Sequence, residues 1–455
     1  MTGRRRRWAD PVRSVAFDVL RTVAERDSYA NLVLPGLLRD RGITGRDAAL
    51  ATELTYGSLR GQGTYDAVLG ACLDRPPEAL DPPVLDVLRL GAHQVLATRI
   101  PPHAAVDTTV DLARARIGEG PVTLVNAVMR RLTTHDLAGW IDQIAPAEST
   151  DPIARLALRH AHPAWVVRAF LDSLDGDRTQ LEAALAADNE RPQVTLVARP
   201  GRAGLAELEA AGARPARWSR YGAVLTEGDP AGIPAVRERR AGIQDEGSQL
   251  VALALAAAPL EGPDRRWLDM CAGPGGKAAL LAGLATDRGA TLLAVERQPH
   301  RARMVENALA GDAGNHRVVV ADATQPLPGE EDPFDRVLLD APCTGLGALR
   351  RRPEARWRRR PSDIPTLRAL QLALLTAALA AVRPGGLVAY VTCSPHLAET
   401  STVVSDALRQ RVDVERVDAR PLLPGVPELG DGPDVQLWPH RHGTDAMYLA
   451  LLRRR

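Results

Sequence analysis

Apolar positions in the first third of the chain recur at three- and four-residue steps. Val12, Val15, Ala16, Val19, Leu20 and Val23 share one helical face, and Leu124, Val125, Val128, Met129 and Leu132 repeat the pattern. The segments between are rich in Ala, Leu and Arg, which favour helix, so residues 7–145 read as a compact all-α domain. The tract Thr98–Ala105 carries two prolines and is a loop or a helix start. From 146 to 240 the pattern is mixed. Helical pieces Trp165–Leu174 and Leu181–Ala187 lead to a strand-like run, Val194–Val197, and then to Pro200, Pro215, Gly228, Pro230 and Pro234. A small α/β connector is expected there.

From 241 to 455 short apolar runs alternate with helix-like segments. The runs are Trp267–Met270, Leu292–Glu296, Val318–Asp322, Val337–Asp340 and Leu387–Thr392, with helices expected at Lys277–Leu284 and Thr366–Ala380. Nearly continuous apolar strands separated by helices predict an α/β, Rossmann-like domain with a mainly parallel sheet covered on both faces.

At 455 residues, 45% hydrophobic and 25% charged with net charge +1, the chain has room for two or three globular domains. No apolar run reads as a bilayer span. The basic run Arg4–Arg7 leads into Asp10 and Pro11 with no apolar signal core, so the expected location is the cytoplasm, without a membrane. The four cysteines, Cys72, Cys271, Cys343 and Cys393, form no C-x-x-C pair, which argues against structural zinc, any other metal site, or a disulfide framework. Lys277 is the sole lysine among 57 basic residues, and arginine does not replace lysine where a compact point donor is needed.

Lys277 closes L-D-M-C-A-G-P-G-G-K, a glycine-rich turn between the first strand and its helix. Such a turn lets backbone approach a ligand near a helix N-terminus. It lacks the spacing of a P-loop. The next strand ends in Glu296, suited to ribose hydroxyls, and the third in Asp322, suited to an adenine amino group. Together these strand ends point to an adenosine-containing cofactor. Cys343 in D-A-P-C-T-G and Cys393 in V-T-C-S-P-H each follow a buried-strand pattern. Two thiols at one sheet edge are a nucleophile with a helper or a redox pair.

The motifs L-D-M-C-A-G-P-G-G-K, D-A-P-C-T-G-L-G and T-C-S resemble those of the Sun/Fmu family of RNA cytosine carbon-5 methyltransferases. The likeness extends over Val337–Trp357 and Ile243–Gln249, and T-R-I-P-P-H-A-A with Leu124–Leu132 resembles a NusB-like RNA-binding fold. The resemblance implies an N-terminal NusB-like domain, an RRM-like connector and a methyltransferase domain using S-adenosyl-L-methionine. It places the cofactor on Cys271, Ala272, Gly273, Pro274, Gly275, Gly276, Lys277, Glu296, Asp322 and Asp340. It makes Cys393 the nucleophile, with Cys343 assisting proton removal or adduct breakdown, Asp340 facing the cytosine edge and Lys277 donating nearby. The competing assignment makes Cys343 the attacker, as in DNA cytosine methyltransferases.

Two positions depart from the family pattern: Glu296 stands where relatives often carry Asp, and Thr444–Leu452 replaces a D-G-F-F tract. The arginine-rich segment holding Arg350, Arg351, Arg352, Arg356 and Arg358 around Trp357 is expected to contact RNA phosphates and stack on unpaired bases. The implied substrate is 16S rRNA, the protein acting as a monomer. tRNA and a non-catalytic assembly role are the alternatives.

Overall fold

The computed structural model describes residues 10–311 and 316–455; the Arg4–Arg7 run lies outside them. The chain divides into two compact units.

The helical unit comprises residues 10–171, 178–189 and 351–358. Its first helix, Pro11–Arg26, is started by Asp10, whose side chain accepts from the Val12 N–H, and Val15, Val19, Leu20 and Val23 are buried as their spacing predicts. The long helix Gly45–Cys72 and helices Pro82–Ala97, Pro102–Arg116 and Val122–Leu132 share that core, in which Cys72 is buried. In the Thr98–Ala105 tract a helix begins at Pro102, where proline lacks only an N–H that would have no partner. The unit continues past the expected limit at 145. Helices Pro152–Arg159 and Arg178–Ala187 belong to it, as does most of Ala164–Ser173, burying Leu156, Val166, Phe170, Leu181 and Leu185.

The second unit begins with the connector sheet. Strands β1 (Val194–Ala198), β2 (Ala213–Pro215), β3 (Gly222–Leu225) and β4 (Ala241–Ile243) pair antiparallel in the order β2-β3-β1-β4. The larger sheet follows: β5 (Arg266–Asp269), β6 (Thr291–Glu296), β7 (His316–Val320), β8 (Phe334–Asp340), β9 (Val382–Thr392), β10 (Val414–Val417), β11 (Val435–Gln436) and β12 (Tyr448–Arg454). Among the described residues its order is β10-β12-β9-β8-β5-β6-β7, with β11 on β12. The five strands β5 to β9 are parallel, and β10 to β12 are antiparallel additions.

Alternation of side chains sorts the strands between two cores. Leu338, Ala389 and Val391 pack on one face with helices Glu246–Ala257 and Gly276–Thr286. Leu339, Val388 and Tyr390 pack on the other with helices Asp363–Ala381 and Ser401–Gln410. Against the sequence expectation, Asp363–Ala381 has the length and hydropathy of a membrane span. Leu374, Leu375, Ala378 and Leu379 are buried in the sheet's core, however, which accounts for its apolar character.

Candidate active site

Strand order reverses at β5, which lies between β8 and β6. In open α/β sheets, ligands bind outside the carboxyl ends of the strands at such a switch point. The glycine-rich loop follows β5 at this point, and space explains its composition. A Cβ on Gly273 would lie 2.2 Å from Glu296 Oε2, and one on Gly275, at φ +109°, would lie 2.6 Å from the Ala308 Cβ. The loop backbone is therefore bare on the side facing the β6 acid, a cradle that any side chain would fill.

Glu296 ends β6, is nearly buried, and accepts the Gln298 N–H at 2.9 Å. Asp322 lies two residues beyond the end of β7, not on the strand as expected, because the strand stops at Val320. Its carboxyl sits below the usual range because Thr324 donates to it from both hydroxyl and backbone. Cys271 packs against the core beside the loop.

Asp269, the last residue of β5, escaped the sequence reading although it stands inside the motif. It is 1% exposed, neither carboxylate oxygen has a geometrically satisfactory donor, and burial, then the neighbouring Asp340 charge, pushes its pKa up to about 7. A buried acid at the base of a bare glycine cradle fits a polar, hydroxyl-bearing and cationic ligand.

The catalytic candidates converge at the neighbouring strand ends. Lys277 Nζ donates to Asp340 Oδ2 at 2.8 Å. Burial opposes the lysine's charge, but Asp340 and then Cys393 outweigh it and hold the pKa above the ordinary value. The Cys343 and Cys393 sulfurs are 3.4 Å apart and are not joined in a disulfide. The hydrogen bond with Cys393, reinforced by burial, pushes the Cys343 thiol well up.

Backbone contacts bring the two cysteine loops together. Ala341 N–H donates to Val391 O and Gly347 N–H to Cys393 O, each at 2.8 Å. A second missed residue, Glu399, is wholly buried and accepts from Thr344 and Ser394, the residues following the two cysteines.

Most of the arginine-rich segment is engaged by protein groups. Arg356 is fully buried in the helical unit and donates to Ala161 O at 3.1 Å, Asn189 Oδ1 at 2.7 Å and Asp188 O at 2.7 Å. Trp357 donates its indole N–H to Leu59 O at 3.0 Å. Arg358 donates to Val23 O and Ser28 O, capping the carbonyl end of helix Pro11–Arg26. Arg352 lies 4.9 Å over the Tyr29 ring, and Arg351 is half-buried. In the second unit Arg350 is nearly buried and donates to Gly443 O at 2.8 Å. Arg350, Arg352, Arg356 and Arg358 thus engage protein carbonyls or a ring in this structure.

An exposed basic tract lies elsewhere. Arg217 and Arg220 cover the rings of Trp218 and Tyr221 at 4.2 and 5.1 Å in the connector. Alternating arginine and aromatic residues in R-W-S-R-Y were the available signal.

A parallel sheet with a bare glycine cradle at its switch point, and acids at the end of β6 and just beyond β7, suits an adenosine-containing cofactor. Residues 254–453 match the family model for 16S rRNA methyltransferase RsmB/F, and residues 10–134 match the NusB family. A Mycobacterium tuberculosis protein classed as a methyltransferase is 54% identical over 99% of this chain and 98% of its own. The ribosomal RNA small subunit methyltransferase B of Pseudomonas putida is 31% identical over 97% of this chain and 98% of its own. The crystal structure of PH0851 shares the fold, with a TM-score of 0.81, 21% identity and 98% of each chain covered. The chain belongs to the 16S rRNA methyltransferase RsmB/F family. It is an rRNA methyltransferase that uses S-adenosylmethionine.

Proposed function

We propose that this chain methylates carbon-5 of a cytosine in 16S rRNA through a covalent adduct, with Cys393 as nucleophile and Cys343 as its proton partner. The observation that carries the reading is the pair of thiol sulfurs 3.4 Å apart, beside the Lys277–Asp340 ion pair. Cytosine carbon-5 is a poor nucleophile, and adding a thiolate at carbon-6 makes it the carbon of an enamine. S-adenosylmethionine supplies an electrophilic methyl group when bound. The loop from Cys271 to Lys277, with Glu296, Asp322 and Asp340, are the residues that would hold it.

Lys277 interacts favourably with a negative sulfur at Cys393, which supports that cysteine as the thiolate. Asp340 gives one oxygen to Lys277, and its other oxygen suits the amino edge of cytosine. After methyl transfer the carbon-5 proton passes to solvent, its bonding electrons re-form the carbon-5–carbon-6 double bond, and the carbon-6–sulfur bond breaks with its electron pair returning to Cys393 as thiolate. The Cys343 S–H, held protonated, stabilises the departing Cys393 thiolate by hydrogen bonding. A redox pair that closes by oxidation to a disulfide would need no lysine or carboxylate at the same edge.

The test is methylation of total RNA with labelled S-adenosylmethionine, followed by bisulfite mapping. The expected result is one modified cytosine in 16S rRNA. Cys393→Ala should abolish turnover, and Cys343→Ala should accumulate a protein–RNA adduct stable to denaturing electrophoresis. An adduct formed by Cys393→Ala instead would reverse the two roles.

A further inference from the structure

Glu399 takes no part in the reaction above, yet its buried carboxylate accepts four hydrogen bonds. It is 0% exposed. Oε1 accepts the Thr344 N–H at 2.8 Å and Gln371 Nε2 at 3.2 Å. Oε2 accepts the Ser394 hydroxyl at 2.7 Å and the Thr344 hydroxyl. All four donors are neutral, and four is the full capacity of an ionised carboxylate. Gln371 also donates to Pro342 O at 2.8 Å, and the Tyr390 hydroxyl donates to the Glu399 carbonyl at 2.7 Å.

Thr344 directly follows Cys343, and Ser394 directly follows Cys393. One anion thus grips both cysteine loops at the residue adjoining each sulfur. Burying an ion is a poor way to gain strength alone, since apolar packing of similar volume often serves as well. What the carboxylate adds is direction: charge-assisted bonds are short and angle-dependent.

We propose that Glu399 is a positioning residue that sets the spacing between the Cys343 and Cys393 sulfurs by clamping Thr344 and Ser394. The inference rests on the proposed reading for its catalytic consequence, but the sulfur spacing can be measured without RNA.

The experiment uses the full-length protein and the variants Glu399→Ala, Glu399→Gln and Ser394→Ala. Diamide oxidises the two thiols to a disulfide and is itself reduced to the hydrazine, taking up the two electrons and two protons. Mass spectrometry of the Cys343–Cys393 peptide pair reads the closure rate. Glutamine can keep the clamp, with its oxygen accepting the two N–H donors while its amide donates to hydroxyls that rotate to accept. Expected closure is within about threefold of the parent for Glu399→Gln and at least about tenfold slower for Glu399→Ala. On 16S rRNA, kcat of Glu399→Ala should fall about 100-fold, as misplacement by about 1 Å commonly does, with KM for S-adenosylmethionine unchanged and Glu399→Gln restoring most of the rate.

Should Glu399→Ala fail to fold, Ser394→Ala removes one leg of the clamp and should slow closure about threefold. Closure at the parental rate in Glu399→Ala, or in Ser394→Ala where it must stand in, overturns the proposal. Slowed closure in a protein whose parent methylates no RNA supports the clamp while removing the proposed function.

Discussion

Gly347→Ala probes the architecture of the thiol site through a single methyl group. Gly347 donates its N–H to Cys393 O, and its own carbonyl accepts from the Ala446 N–H, each at 2.8 Å. A Cβ at this position would lie 2.0 Å from Ala446 O and 2.9 Å from Cys393 O. Both obstacles are backbone, and Ala446 precedes the buried strand β12, so neither can swing aside as a side chain would. Relieving the first clash requires a backbone shift of about 1 Å, against an overpacking cost of about 1–3 kcal/mol. Losing one of the two backbone hydrogen bonds adds about 1 kcal/mol, giving about 2–4 kcal/mol in all.

For a domain of this size each kcal/mol lowers Tm by about 2–4 °C, so the expected drop is about 4–16 °C. The shift falls on the Cys393 carbonyl, and methyl transfer should decline about 100-fold even at temperatures where the variant remains folded. Thermal melting and single-turnover methylation read the two effects separately. A Gly347→Ala protein with parental Tm and parental turnover would refute the close approach of these three backbone segments.

Lys277→Met strips Asp340 of its partner. It should cost at most about 3 kcal/mol in a urea titration, since Asp340 keeps some solvent, and Lys277→Arg should restore little activity because the fork does not fit a point-donor site. Trp357→Ala should destabilise the helical unit by about 3 kcal/mol, because its ring fills the hollow over Gly63, where a Cβ would come within 2.2 Å. Arg358→Ala should leave the salt dependence of RNA binding unchanged, whereas a lost phosphate contact would shallow the log–log slope by about 0.9.

Acid should weaken the helical unit through His162, which is fully buried with its pKa well below the ordinary value, because burial and the Arg356 charge disfavour the imidazolium. The unfolded chain takes up that proton near pH 6.5 and the folded chain does not, so stability is complete above about pH 6.5 and declines below it. His162→Phe should flatten that part of a pH-dependent urea titration, and an unchanged slope would contradict the assignment.

The strands of the larger sheet were legible because burial on both faces demands unbroken apolar runs, and Trp267, Val337 and Leu387 begin or extend such runs. The glycine loop was legible because Gly273 and Gly275 leave no room for a Cβ. The fate of the arginine-rich segment was not legible. A guanidinium that caps a helix and one that holds a phosphate look alike in sequence, and the acceptors of Arg356 and Arg358 lie near residues 23, 28, 161 and 188. Glu399 was hidden for the same reason. Only the fold brings Thr344 and Ser394 to one carboxylate.

The peptide 351–358 has a consequence for the order in which the protein is made. Although most of the helical unit is N-terminal, this late peptide supplies it with Arg356 and Trp357. Translation must run on for roughly 160 residues beyond Asn189 before the peptide is synthesised, which at about 5–20 residues per second takes on the order of 10–30 s. During that interval the hollow over Gly63 has no ring to fill it, so the helical unit leaves the ribosome before the peptide that completes it.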